Sequence, residues 1–482
     1  MKTSDSTFEL VQSLNKNEKR FFQLRPGEKN ANYMRLFKVM SQMSSFDPKK
    51  LKKLFNGEKV NLSYEKNYLQ KQLLRSLRGY YSDNCSALEL LDILKNLEIL
   101  YRKRLTAHCQ KQIEKGIDLG RQYEQWHHHL ELIEWQYRLF ARTGNYKELL
   151  EFGEKGGAEK KAIADAIKDH TDAQSYVYIV LGLVQTQGSL LDEKARAQFR
   201  EIIQRCDELL AKHKNSFRIP HLVTVALYLA HNYLGDMKAS YRWSIEHYKV
   251  FEQHPQYKLD SPYKYYTALG NIITRSTNLE LYDEARKYIG ILKTWLKSLS
   301  AFHAFDIHAE FTEMVFQWES KILLKTGKMT EALQCAKEYE SGEKLQHKGR
   351  AFYIQTVLAE IYFANKRFKE SLRYVNMVVN APARTVKMDY YLFAQLLRIC
   401  IQFEAGHSDT VTSLIHSLFR FMKKENLQEP FASGFIQELS SRNAATGKKN
   451  KAPAGKNLHE LEKYIRPDEE HYELLMKWLK EK

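Results

Sequence analysis

Apolar residues recur at helical spacing through most of this chain, and short polar breaks interrupt them roughly every forty residues. The stretch 352–382 shows the pattern most clearly. Ile354, Val357, Leu358, Ile361 and Tyr362 make the i, i+3, i+4, i+7, i+8 stripe of an amphipathic helix. After a break, Phe368, Leu372, Val375 and Val379 share one side of a second helix, which Pro382 stops. The break recurs with an anchor residue and, three places on, a small or aliphatic one. The pairs are Tyr146 and Leu149, Met237 and Ser240, Tyr282 and Ala285, Met329 and Ala332, Phe368 and Ser371, and Ser408 and Val411. Weaker beats fall at Leu105 and Leu191, and the successive steps are 41, 45, 46, 45, 47, 39 and 40 residues. One helix pair cannot cover its own apolar face, so the next pair must cover it. The pattern therefore predicts an all-α solenoid over residues 83–443, built from seven or eight helix pairs.

The two ends depart from this rhythm. Residues 1–82 read as a small helical domain with helices near 5–14, 16–24, 31–43, 48–56 and 62–81. Asp47 is placed to cap the fourth, with Pro48 in its first turn. The fifth, LSYEKNYLQKQLLRSLRGYY, carries the stripe Tyr64, Tyr68, Leu69, Leu73, Leu77 and Tyr80. At the other end, residues 444–457 are small, polar and basic and read as a linker. Residues 458–482 then supply a capping helix, with Pro467 in its first turn and Leu474, Leu475, Trp478 and Leu479 to dock on the final repeat.

The segment 352–382 resembles the tetratricopeptide repeat. Leu358, Ala359 and Tyr362 stand where the family has Leu, a small residue and Tyr in its first helix. Phe368, Ser371, Val375 and Val378 match the second helix, and Pro382 the closing proline, one place early. A second copy has Leu269, Gly270, Tyr282, Ala285 and Ile289, with an insertion expected at its turn. The resemblance extends over residues 84–424 with divergent copies, and the steps exceed the family's usual ~34 residues. It implies a right-handed superhelix whose first helices line a concave groove. On that basis Asn232, Lys264, Asn271 and Arg275 are candidate groove residues. An Asn amide can pair with both backbone groups of a partner, and Lys or Arg can hold carboxylates. The plainer alternative is that all four are ordinary surface polar residues. They do not form the family's carboxylate clamp, so a C-terminal peptide ligand is not implied.

Charge changes the picture at the ends. The formal net charge is +17, of which residues 1–82 carry 17 Lys/Arg against 7 Asp/Glu and residues 421–458 carry 7 against 3. Lys52, Lys53, Lys66, Lys71, Arg75 and Arg78 are therefore candidate nucleic-acid contacts, since phosphates are held by Lys and Arg. Two helices joined by a short turn, the second one basic, suit a helix-turn-helix. That layout resembles peptide-responsive bacterial regulators, which join such a motif to solenoid repeats. A basic bundle that merely packs on the first repeat accounts for the same residues.

Composition narrows the rest. Five widely spaced cysteines without a CxxC pair argue against a disulfide framework and for a reducing compartment. The first twenty residues have no apolar h-region, and the longest apolar runs, 176–184 and 222–230, are about half a membrane span. A cytoplasmic protein without membrane association is expected.

Candidate chemistry is sparse. His127, His128 and His129 are consecutive, so on a helix they point about 100° apart and do not converge on a metal. His303, Asp306 and Glu310 share a helix face but lack a second ligand cluster. The TGKMT stretch at 326–330 lacks the upstream glycine of a P-loop and suits an inter-helix turn, and GxGxxG, GxSxG and HExxH are absent. No cofactor or metal is expected. Three functions follow in order: a non-catalytic scaffold binding a protein or peptide partner in a groove, a DNA or RNA regulator acting through residues 1–82, and an enzyme with a groove site of no recognised motif.

Overall fold

The computed structural model describes residues 5–24, 31–56, 58, 60–82, 85–187, 193–299, 307–342, 351–381, 388–425, 427, 429–446, 458–465 and 471–482. Among them all regular structure is helical, in 24 helices. None is long and apolar enough to cross a membrane. The chain divides into two compact units, Met1–Ala268 and Leu269–Lys482.

The first unit opens with five helices, Ser6–Ser13, Lys16–Leu24, Asn32–Gln42, Pro48–Leu54 and Leu62–Tyr81. Each break has a local cause. The Asp5, Asp47 and Asn61 side chains accept from the first free N–H groups of the helices that follow them. The long helix Leu62–Tyr81 packs across the first three, and Val11, Phe22, Leu36, Phe37, Met40, Leu51, Leu69 and Leu73 form a shared core. The predicted stripe on that helix holds at Leu69 and Leu73. Tyr64 and Tyr68 instead lie outside, 63% and 37% exposed, and Ser76 takes an inward place.

Beyond this bundle, consecutive helices pack on one another as Ser86–Arg102, Thr106–Gln122, Trp126–Thr143, Tyr146–Gln187, Glu193–Lys212, Arg218–Tyr233 and Met237–Gln253. The second unit continues with Tyr282–Ser298, Ile307–Lys325, Met329–Ser341, Ala351–Ala364, Phe368–Val379, Met388–Glu404, Ser408–Lys424 and Pro430–Thr446, then Leu458–Glu462 and His471–Glu481. This succession of neighbouring pairs is consistent with an α-solenoid.

All six anchors read from the sequence, Tyr146, Met237, Tyr282, Met329, Phe368 and Ser408, are the first residues of helices. The small residues behind them pack inward: Ser240, Ala285, Ala332, Ser371 and Val411 are buried. Ser240 and Ser371 each donate to the carbonyl of the residue twelve places earlier, at 2.7 and 2.8 Å. The turns share one stereochemistry. Arg104, Glu124, Gly144, Gly235, Glu280, Gly327, Lys366 and Gly406 have φ between 48° and 86°, and each stands two residues before a helix start. The next residue's N–H bonds back to a carbonyl of the preceding helix, as in Leu281 to Ser276 at 2.8 Å and Arg367 to Tyr362 at 2.8 Å. That is the Schellman closure, which satisfies carbonyls the helix end leaves open.

Three expectations are corrected. The turn after Asn278 carries no insertion, because Leu279–Leu281 has the same form as Asn365–Arg367. The residues equivalent to Leu358, Ala359 and Tyr362 are therefore Ile272, Ile273 and Ser276, three places on from the predicted Leu269 and Gly270. Gly270 instead accommodates the Trp318 ring, which a Cβ there would meet at 3.0 Å. Second, no break follows the helix opened by Tyr146, which runs for 42 residues. Its first part packs on Trp126–Thr143, and Ala173, Val177 and Val180 join the core of the helices that follow. Third, the C-terminal helix lies along Ala351–Ala364 and Met388–Glu404. Trp478 meets Phe363, Phe403 and Phe435, so its apolar area is satisfied by several helices and not by the last pair alone. The beat at Leu191, Pro382, Pro467, His303, Asp306 and most of the 444–457 linker lie outside the described residues.

Candidate functional site

In the second unit a cavity of about 530 Å³ opens on the first helices of successive pairs. Thr274 and Asn278 come from the helix Pro262–Asn278, Gln317, Lys321, Leu324 and Lys325 from the next, Tyr353, Thr356, Val357 and Glu360 from the third, and Tyr390 from the fourth. Within each helix the lining residues follow the i, i+3, i+4, i+7, i+8 pattern of a single face. Thr274, Lys321 and Glu360 are equivalent positions, each six residues before the left-handed residue of its turn. The C-terminal helix closes one side with Glu473, Leu474 and Lys477.

The lining is mixed in character. Lys325 pairs with Glu473, and the Lys321 ammonium donates to the Asn278 amide oxygen at 3.2 Å. Tyr353 and Tyr390 meet edge to face at 5.2 Å. Apolar floor comes from Leu324, Val357 and Leu474. The arrangement offers acceptors, cations and aromatic edges over four helices, which suits an extended polar partner.

A second cavity, about 560 Å³, lies among Met329–Ser341, Ala351–Ala364 and Phe368–Val379. Its Glu340 carboxylate has three donors. It accepts from the Tyr362 and Tyr374 hydroxyls and from Arg373 at 2.8 Å. Burial and that carboxylate push the Tyr374 phenol up to about 12, which keeps it a neutral donor. This cluster ties three helices together.

The structure scatters the candidate groove residues. Asn232 is half-buried at the end of Arg218–Tyr233, where its carbonyl receives the Gly235 N–H at 3.2 Å. Arg275 is buried, 6% exposed, and donates to the Asn271 side chain at 3.1 Å. Those two residues therefore meet each other, one turn apart on one helix. Lys264 is exposed, on the part of that helix belonging to the first unit. Of the basic candidates, Lys52, Lys53, Lys71, Arg75 and Arg78 are exposed, whereas Lys66 is held by Asp5 and lies over the Phe46 ring at 5.0 Å.

Other motifs acquire definite places. His127 is exposed, His128 half-buried and His129 buried, with its ring 3.2 Å from the Glu159 carboxylate. Burial lowers both His128 and His129 from the ordinary histidine value. Thr326–Lys328 is an inter-helix turn around Gly327. All five cysteines are free thiols, and burial pushes Cys206 up to about 12.

Thr274, Lys321, Glu360, Tyr353 and Tyr390 escaped sequence reasoning. A register counted backwards from each turn exposes the first three, since they share one offset. Tyr390 needs the packing of the next helix as well. No protein-family model matches the sequence, and no curated protein matches it.

Proposed function

We propose that the chain is a non-catalytic scaffold of the tetratricopeptide-like class, a right-handed superhelical array that binds a protein or peptide along the first-helix face of residues 269–482. The observation that carries this reading is the alignment of Thr274, Lys321 and Glu360 at one offset in three successive first helices, within a cavity of about 530 Å³. A surface repeated along an array distributes contact over several repeats, which is how such arrays hold extended partners. The five thiols and the absence of a membrane-crossing helix among the described residues support a cytoplasmic location.

The test is affinity capture with the intact chain and with a Lys321→Glu, Tyr353→Ala double variant. A partner retained by the intact chain, lost from the double variant and retained by Lys147→Glu would support the face. A partner set that ignores the double variant would overturn it.

A second reading assigns nucleic-acid binding to the N-terminal bundle. It is favoured by the exposure of Lys52, Lys53, Lys71, Arg75 and Arg78 on two helices of that bundle.

A further inference from the structure

The helix Leu62–Tyr81 carries a second stripe, turned away from the core it helps to build. At about 3.6 residues per turn, Tyr64, Tyr68, Lys71, Arg75 and Arg78 fall within about 80° of one another around the axis. All five are exposed. Leu69, Leu73 and Ser76 occupy the opposite side and are buried. From Tyr64 to Arg78 the stripe runs about 21 Å along the helix. Its two tyrosines stack, with ring planes 11° apart and centroids at 6.3 Å. Tyr33, on Asn32–Gln42, meets the Tyr68 ring edge to face at 5.2 Å and steadies it.

The acids of the bundle are placed elsewhere. Asp5 pairs with Lys66, and Glu58 pairs with Arg35 at 2.8 Å. Glu18 accepts from the Tyr81 hydroxyl and from the Asn15 N–H, and Asp47 caps its own helix. Glu65 is the helix's own carboxylate, and it lies about 100° round the axis from Tyr64. Among the described residues, Lys71 has neither a hydrogen bond nor an ion pair, and Arg78 bonds only to the Leu74 carbonyl of its own helix, at 3.3 Å. The stripe therefore presents positive charge beside two open aromatic rings.

Cations alone would suit any anion, and the parallel ring pair narrows the choice. The bases of a single strand expose flat faces that stack on tyrosine, while Lys and Arg track the phosphates between them. In a duplex those faces are closed by the neighbouring base pairs, so the rings would add nothing there. An acidic peptide offers the rings no regular counterpart. A helix that lies on a lipid surface sinks its apolar face into it, and here that face is already in the bundle core.

We propose that this stripe binds single-stranded nucleic acid, with bases stacked on Tyr64 and Tyr68 and phosphates held along Lys71, Arg75 and Arg78. The proposal rests on the second reading above, in which the bundle contacts nucleic acid. It adds the strand form and the two tyrosines.

The experiment measures, by fluorescence anisotropy from low to moderate salt, how the full-length protein binds labelled oligo-dT, oligo-rU and a duplex of the same length. Charge alone should bind the duplex at low salt, and the better single strand should bind about tenfold more tightly or better. Tyr64→Ala with Tyr68→Ala should remove that advantage and leave the salt slope unchanged, whereas Phe at both positions should keep it. Lys71→Gln with Arg78→Gln should lower the single-strand salt slope by about 1.4, two contacts at ~0.7 each. Lys147→Gln, outside the bundle, should change neither. The tighter of oligo-dT and oligo-rU names the sugar. A duplex bound as tightly as the single strands, or an alanine pair that binds single strands like the intact chain, would overturn this inference and leave the bundle reading standing. Displacement of the oligonucleotide by polyglutamate or by phosphatidylserine vesicles at equal charge would overturn it too. Absence of binding to either strand form at low salt removes both readings. The comparison of strand forms uses the unaltered protein, so it decides the matter even if a variant misfolds.

Discussion

At the scale of single residues, the turns show what the fold demands of the chain. Among the described residues, eight adopt the left-handed conformation, and only half of them are glycine. A side chain there costs about 1–2 kcal/mol relative to glycine, offset in part by the glycine's greater freedom when unfolded. Lys366→Gly should therefore raise stability by roughly 0.5–1 kcal/mol, and Gly235→Ala should lower it by about 1 kcal/mol, read from urea midpoints. Equal and unchanged midpoints would mean that the turns do not set the helix ends. Buried histidines make a second demand. Burial and neighbouring cations hold His170 down to about 4, and His221, bonded to His247 at 2.8 Å, lies well below its ordinary value. An unfolded histidine takes up its proton near pH ~6.5. As the pH falls through that value the unfolded chain binds protons that the folded one refuses. Stability is then full above pH ~6.5 and is lost below it. The loss should approach about 1.4 kcal/mol per pH unit for each of the two residues. Urea unfolding at neutral and mildly acid pH measures it, and a flat profile would contradict the burial of both rings.

At the scale of elements, the C-terminal helix buries Tyr472, Leu475, Met476 and Leu479 together with one larger side chain, Trp478. Trp478 is 7% exposed, contacts three aromatic rings, and its indole N–H donates to Glu404 at 2.6 Å. Trp478→Ala should cost about 3 kcal/mol or more locally. Amide exchange should then show the helix His471–Glu481 open while Met388–Glu404 stays protected. Loss of protection in both together would mean that they open as one unit. Much at this scale was legible in the sequence. The helix starts at Tyr146, Met237, Tyr282, Met329, Phe368 and Ser408 were all anticipated, because a polar turn and an inward small residue mark them chemically. The continuity of Tyr146–Gln187 was not, because two helices that follow without a turn carry the same periodicity as one. The face of the candidate cavity was legible only in part. Asn271 and Arg275 sit on the right helix, but they bond to each other, and the lining falls to Thr274 and Asn278. Pattern tells which helix faces inward; which polar side chain stays open depends on its neighbours.

At the scale of the whole molecule, charge is distributed by region and not by fold. Residues 1–82 carry a net +10, the difference between 17 Lys/Arg and 7 Asp/Glu, and share one helical bundle. If that bundle contacts phosphates, duplex binding by the full chain should fall steeply with salt, and each contact should contribute a slope of about 0.9 in log–log form. Lys52→Gln with Lys53→Gln should then reduce the slope by nearly two. Absence of duplex binding at low salt would leave the bundle a purely structural one. The repeated turn has a consequence of a different kind. The same joint, one left-handed residue and a helix start two places later, occurs eight times among the described residues. A genetic duplication or exchange whose ends fall at two such joints preserves the stereochemistry on both sides of the seam. Such a chain can lengthen or shorten by whole helices while each remaining helix keeps a proper stop, and its partners can change without the joints being invented anew.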